Sequence, residues 1–116
     1  MKARLPKGYS NGGNTNIQQI ARQAQKMQEE MDAANKELDE KEYSAASGGG
    51  VVKAVVKGSL EVTSIEMDKE VVDPEDTETL SELIMAAVNE AIRKARDEKS
   101  ETMDRISGGL NVPGLF

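Results

Sequence analysis

The clearest pattern in the sequence is a stripe of apolar residues between residues 17 and 38. Its members recur at alternating intervals of three and four: Ile17, Ile20, Ala24, Met27, Met31, Ala34 and Leu38. This spacing places them on one face of a helix. The pattern predicts a first helix that begins near residue 17, capped by one of the polar residues at 14–16. Residues 1–16 are polar, Gly-rich and basic, which predicts a flexible tail.

The middle of the chain predicts a three-stranded antiparallel sheet. Tyr43–Ala46 is a weak first strand, Val51–Lys57 alternates strongly, and Leu60–Met67 forms the third. The apolar residues of the third strand change from even to odd positions, which predicts a β-bulge near residues 63 and 64. Gly58 and Ser59 predict a two-residue turn of the Gly-X type, and residues 47–50 predict a flexible link.

A second long helix follows the strands. Asp73 is the predicted N-cap and Pro74 the first helical residue, and Gly108–Gly109 ends the helix. The order α-β-β-β-α is an α+β fold with a small antiparallel sheet. The two helices, roughly 37 and 50 Å long, exceed a compact body with a radius of gyration of about 13 Å. They must project from it or pack on a second copy, so we expect a homodimer.

The composition excludes most kinds of catalytic and metal-binding site. The chain has 116 residues and contains neither Cys nor His, which excludes disulfides, Cys/His zinc sites, thiol nucleophiles and imidazole bases. We therefore expect no enzyme activity, no metal and no small-molecule substrate. Because no apolar run approaches the ~18 residues of a membrane span and the basic start precedes no apolar segment, we expect a cytoplasmic protein without a membrane partner.

The charges are unevenly distributed, although the net charge is only −6. Residues 1–28 carry five bases and no acid, whereas residues 61–82 carry nine acids and one base. Gln18, Arg22 and Lys26 share one face of the first helix, and Arg93 and Arg96 share a face of the second. These faces fit either phosphate contact or ordinary solvation. Because the chain is acidic as a whole, any binding to DNA is expected to be salt-sensitive.

Four segments of the sequence resemble the YbaB/EbfC family of nucleoid-associated proteins. They are residues 23–31 (QAQKMQEEM), 47–53 (SGGGVVK) and 80–91 (LSELIMAAVNEA), together with 107–110 (SGGL) followed by Pro113–Leu115. The resemblance covers about residues 17–116, which we take as one domain behind the tail of residues 1–16. It implies a tweezer-like homodimer with helices projecting from a central sheet. It also implies a bacterial cytoplasmic protein that binds double-stranded DNA, associates with the nucleoid and influences gene expression. No catalytic activity and no cofactor are expected from the resemblance.

The resemblance attributes DNA contact to the projecting helices, which assigns it here to Arg22, Lys26, Arg93, Lys94 and Arg96. We extend the expected site to Lys2, Arg4 and Lys7 in the tail. Little base specificity is expected, because phosphate contacts do not read sequence and no helix-turn-helix or zinc-finger pattern is present. The alternative is a protein-interaction module that uses the apolar stripe of the first helix and the apolar C-terminal segment.

Overall fold

The computed structural model describes residues 7–108, with the side chains of residues 16–108. Helix α1 (Lys7–Glu40) leads into strands β1 (Glu42–Ser47), β2 (Val52–Lys57) and β3 (Val62–Met67), and helix α2 (Thr77–Gly108) follows. The predicted order α-β-β-β-α is confirmed. Short 3-10 turns at Gly48–Gly50 and Lys69–Val71 stand between elements.

The predicted start of the first helix is wrong. α1 begins at Lys7, and the proposed capping residues 14–16 lie inside it. A helix that is already nucleated gains one hydrogen bond for each residue added, so it extends past the end of the apolar stripe. The division between a tail over residues 1–16 and a domain over residues 17–116 stays a prediction.

The sheet is an antiparallel meander in the order β1-β2-β3. Val55 pairs with Ser64 and Val56 with Val62, so Thr63 is an extra residue in β3. This bulge confirms the prediction from the change of phase. It keeps Val62, Ile65 and Met67 on one face of the sheet, because each lies opposite an inward-facing residue of β2.

The turn between β2 and β3 differs from the prediction. The amide of Leu60 donates to the carbonyl of Lys57 at 2.8 Å, and Leu60 has a φ of +69° while Gly58 has no positive φ. The connection is a three-residue loop whose last residue is left-handed, rather than a two-residue Gly-X turn. The link before β2 also has a defined path, because Gly48, Gly49 and Gly50 all adopt positive φ values that suit glycine.

Helix α2 covers β1 and β2 but not β3. Its small residues Ala87, Ala91 and Ala95 are buried at four-residue intervals against the sheet, on Tyr43, Ala45, Val52, Ala54 and Val56. Alanines bring the helix close to the strands. The apolar residues of β3 lie beyond the edge of this contact, so Val62, Ile65 and Met67 are 38–43% exposed.

The N-cap of α2 also differs from the prediction. The amide of Thr79 donates to Asp76 Oδ1 at 3.3 Å, which makes Asp76 the N-cap. Asp73 instead accepts a hydrogen bond from the amide of Glu75 at 2.9 Å, in the turn that precedes the helix. Pro74 therefore belongs to this turn, since α2 begins at Thr77.

Candidate nucleic-acid interface

The two helices form an arm that extends away from the sheet. Asp39 near the end of α1 lies beside Ala95 and Lys99 of α2. Half-buried residues continue outward from there, towards the start of α1 and towards the end of α2: Met27, Met31 and Ala34 on α1, and Thr102, Met103 and Ile106 on α2. The helices are therefore antiparallel, and the molecule measures 89 × 23 × 17 Å.

Arg22 and Lys26 lie at the outer part of this arm. Both are exposed, and they line a shallow depression on α1 with Gln19 and Gln23. Residues 16–28 contain no acid, and the structure gives neither base an ion pair within residues 16–108. Arg22 and Lys26 share a face as predicted, but Gln19 and Gln23 line the depression beside them in place of the predicted Gln18.

Arg93 and Lys94 are engaged with their own chain. Arg93 donates through Nε and Nη2 to Glu90 Oε2, at 3.0 and 2.7 Å. Lys94 Nζ donates to the backbone carbonyl of Ser44 in β1 at 2.8 Å. Any ligand at these two residues competes with these internal contacts.

Arg96 faces a different surface from Lys94. It lines a hollow between the helices and the β2–β3 turn, together with Lys99, Asp39 and residues 58–60. Lys99 is a basic neighbour that the sequence analysis missed, although its position three residues after Arg96 on the same helix indicates a shared face. Asp39 partly offsets the positive charge of this hollow.

The structure does not bring the candidate bases into one site. Lys26 precedes Asp39 by 13 residues on α1, so the Arg22–Lys26 group and the Arg96 hollow are about 20 Å apart along the arm. Acidic residues occupy the stretch of α1 between them: Glu29, Glu30, Asp32 and Glu37. Lys2 and Arg4 lie outside the described residues, as does the side chain of Lys7, the first residue of α1.

An ion pair joins α2 to Lys41, the residue between α1 and β1. Lys41 Nζ donates to Glu98 Oε1, and this hydrogen bond is the main cause that raises the pKa of Lys41 above its usual value. Burial raises the pKa of the neighbouring Tyr43 hydroxyl, and the charge of Glu98 raises it further. The ion pair links the end of α1 to α2 and does not involve Arg22 or Lys26.

Two kinds of site are missing from the part of the chain that the structure describes. No group of three or more acidic, His or Cys side chains there is arranged to hold a metal ion. No helix among residues 7–108 has the length and apolarity required to cross a membrane.

Comparison with known proteins decides the family. The model of the YbaB/EbfC DNA-binding family matches residues 12–110. The chain belongs to this family. A nucleoid-associated protein of Alkaliphilus metalliredigens is 50% identical to this YbaB/EbfC chain over 105 residues, which cover 90% of this chain and 92% of the relative. A nucleoid-associated protein of Thermoanaerobacter pseudethanolicus is 49% identical over 104 residues, covering 90% and 94%.

A solved structure supports the fold. The crystal structure of an uncharacterized protein from Helicobacter pylori matches with a TM-score of 0.57 at 20% identity. The match covers 67% of this YbaB/EbfC chain and 90% of the other. At this identity the likeness concerns the arrangement of helices and strands.

Proposed function

We propose that this YbaB/EbfC protein is a nucleoid-associated protein that binds duplex DNA through the outer part of α1. The observation that carries the proposal is the exposed pair Arg22 and Lys26, on a projecting helix whose residues 16–28 contain no acid. The family description and the names of the relatives point to the same ligand. We place the protein with the bacterial nucleoid on the same grounds.

Binding of this kind neutralises backbone phosphates and releases counterions. Lys and Arg side chains of the outer arm, residues 16–28 of α1, contact the phosphates. The phosphates repel the acidic residues of the inner arm, which follow on α1 from Glu29 to Glu37, and the acidic residues around β3. The contact is therefore confined to the outer arm. Because phosphate contacts carry no sequence information, the protein shows little base specificity.

A homodimer supplies two such arms. β3 is an edge strand of the sheet in the single chain, and its apolar residues Val62, Ile65 and Met67 are 38–43% exposed beside α2. Val72 and Met85 add exposed apolar surface at 49% and 55%. An unpaired edge with apolar side chains favours pairing with a second chain. We propose that two copies join through β3 and grip DNA between their α1 helices.

The DNA proposal is tested by charge reversal at the outer arm. Fluorescence anisotropy of a labelled duplex of about 30 base pairs is measured at several salt concentrations. Arg22→Glu with Lys26→Glu should lower the affinity and reduce the slope of log K against log salt by about 1.8 per protomer. The matched control, Lys36→Glu with Lys69→Glu, makes the same change of charge at exposed positions outside the outer arm. Equal loss in both double variants, or no saturable binding by the native protein at low salt, contradicts the proposal.

The dimer proposal is tested separately by light scattering after size-exclusion chromatography. Ile65→Lys with Met67→Lys places charge on the β3 surface and should give the mass of a single chain. Ser100→Lys, at an exposed position on the outer part of α2, should leave the dimer intact. A native protein with the mass of one chain, or an intact dimer in the double variant, overturns the proposal.

A second candidate function rests on the outer stripe of α1. Ile17 and Ile20 are 66% and 62% exposed, and an apolar helix face of this kind also suits a partner helix. An interaction module would bind a protein through this face and would show no binding to DNA. The anisotropy experiment separates the two functions.

A further inference from the structure

The apolar stripe of α1 is covered along its inner part and exposed along its outer part. Leu38 is only 8% exposed, and Met27, Met31 and Ala34 are half-buried. Ile20 is 62% exposed and Ile17 is 66% exposed. The residues of this stripe therefore change from half-buried to exposed between Met27 and Ile20.

The loss of cover coincides with the end of α2. Ala95 lies beside Asp39, and the 13 residues from Ala95 to Gly108 rise about 20 Å along the arm. Because the helices are antiparallel, the end of α2 comes level with α1 close to Met27. Ile17 lies ten residues farther out on α1, a distance of about 15 Å.

The sequence continues past this point with a segment suited to the exposed stripe. Residues 109–116 are Gly-Leu-Asn-Val-Pro-Gly-Leu-Phe, which carry four large apolar side chains and no charged side chain. Pro113 and Gly114 oppose continuation of the helix. In extended form, eight residues reach about 26 Å, which exceeds the distance to Ile17.

We propose that the segment Gly109–Phe116 folds back along the outer part of α1 of its own chain and covers Ile17, Ile20 and Ala24. The segment begins where the cover by α2 stops and continues the same apolar contact towards the tip of the arm. The two apolar surfaces that a protein-interaction module would offer, the stripe and the C-terminal segment, then cover each other.

Docking of this segment leaves the proposed DNA surface free. Arg22 and Lys26 each follow a member of the stripe by two residues, Ile20 and Ala24. Two residues turn a helix by about 200°. The bases therefore lie on the opposite side of α1 from the docked segment, and the segment stiffens the arm without blocking phosphate contact.

The absence of Trp from the chain permits a direct test. Phe116→Trp in the full chain introduces a single fluorophore. The proposal requires that its emission is blue-shifted relative to the unfolded chain and that acrylamide quenches it several-fold less. Adding Ile17→Glu and Ile20→Glu should abolish both effects. The matched control, Gln18→Glu with Gln25→Glu on other faces of the helix, should retain them.

The same fluorophore distinguishes docking on its own α1 from docking on that of another copy. The triple variant, which combines Phe116→Trp with the two stripe substitutions, is refolded with a large excess of the native chain. Emission that stays red-shifted supports docking within one chain. Recovery of the blue shift assigns the segment to another copy, and a blue shift unaffected by the stripe substitutions places it elsewhere on the protein. Either result overturns the proposal, as does solvent-like emission from Phe116→Trp alone.

Hydrogen exchange gives a second readout that needs no change in α1. Leu115→Ser with Phe116→Ser should speed amide exchange several-fold in the peptide covering residues 17–24 and leave the peptides of β2 unchanged. Unchanged exchange at residues 17–24 contradicts the proposal. Circular dichroism confirms that every variant retains its helices.

Discussion

Gly58 stands where the β2–β3 turn meets the end of α1. A Cβ at this position would lie 1.8 Å from the carbonyl oxygen of Leu38 and 2.6 Å from its carbonyl carbon. Two hydrogen bonds join the same segments, from the Gly58 amide to the Lys41 carbonyl at 2.9 Å and from the Ser59 amide to the Asp39 carbonyl at 3.3 Å. Because the obstructing atoms belong to the backbone, Gly58→Ala must push α1 away from the turn.

The expected cost has two parts. Overpacking costs about 1–3 kcal/mol, and each of the two hydrogen bonds contributes about 0.5–1.5 kcal/mol. We expect the free energy of unfolding to fall by about 3 kcal/mol or more. Urea denaturation followed by circular dichroism measures this, with all variants at one protomer concentration because a dimer's stability depends on it.

Gly49→Ala is the matched control for the Gly58 experiment. Gly49 has a φ of +74°, yet a Cβ there would meet no atom within 4 Å. Substitution there lowers the free energy of unfolding only by the cost of a left-handed conformation in a residue with a Cβ, about 1–2 kcal/mol. If Gly58→Ala loses no more stability than Gly49→Ala, the close approach of α1 to the turn is refuted as the reason for glycine at position 58.

Three further substitutions test the caps and the core. Burial raises the pKa of Tyr43, so the stability it contributes is complete below about pH 10 and is lost as the pH rises through the raised pKa. Tyr43→Phe should remove this alkaline loss without lowering the urea midpoint at neutral pH, since the buried hydroxyl has no hydrogen-bond partner in the described part of the chain. Asp76→Ala should cost about 1 kcal/mol of stability as the loss of an N-cap, and a larger loss for Asp73→Ala in the same urea titration would contradict the assignment of the cap. Ala91→Leu should cost about 1–3 kcal/mol by overpacking the contact between α2 and the sheet, whereas the exposed Ala86→Leu should leave the urea midpoint nearly unchanged.

Features set by local pattern were predictable from the sequence. The change of phase between Val62 and Ile65 located the bulge, because a strand must keep its apolar residues on one face. The stripe of α1 was likewise recognised from its spacing. The start of α1 was not, because helix propagation past the stripe leaves no apolar periodicity to detect.

Features set by contacts between distant segments were not predictable. Gly58 was assigned to turn geometry, but its need for glycine arises from the backbone of α1, which lies 20 residues earlier in the chain. The sequence predicts that Lys94 contacts DNA and gives no sign that its side chain also reaches the Ser44 carbonyl, 50 residues away in sequence. A single sequence shows that a residue is basic; its partner depends on how the elements pack.

The bond from Lys94 to Ser44 has a consequence for how far assembly can proceed. A three-stranded sheet has two edges, and if both accepted another chain the result would be an open fibre. Here the side chain of Lys94 donates a hydrogen bond to the Ser44 carbonyl at the outer edge of β1, and α2 lies over that strand. The β3 edge carries exposed apolar residues instead. If two copies pair through the β3 edge as proposed, pairing ends at two copies, and the bond from Lys94 to Ser44 helps keep that assembly finite.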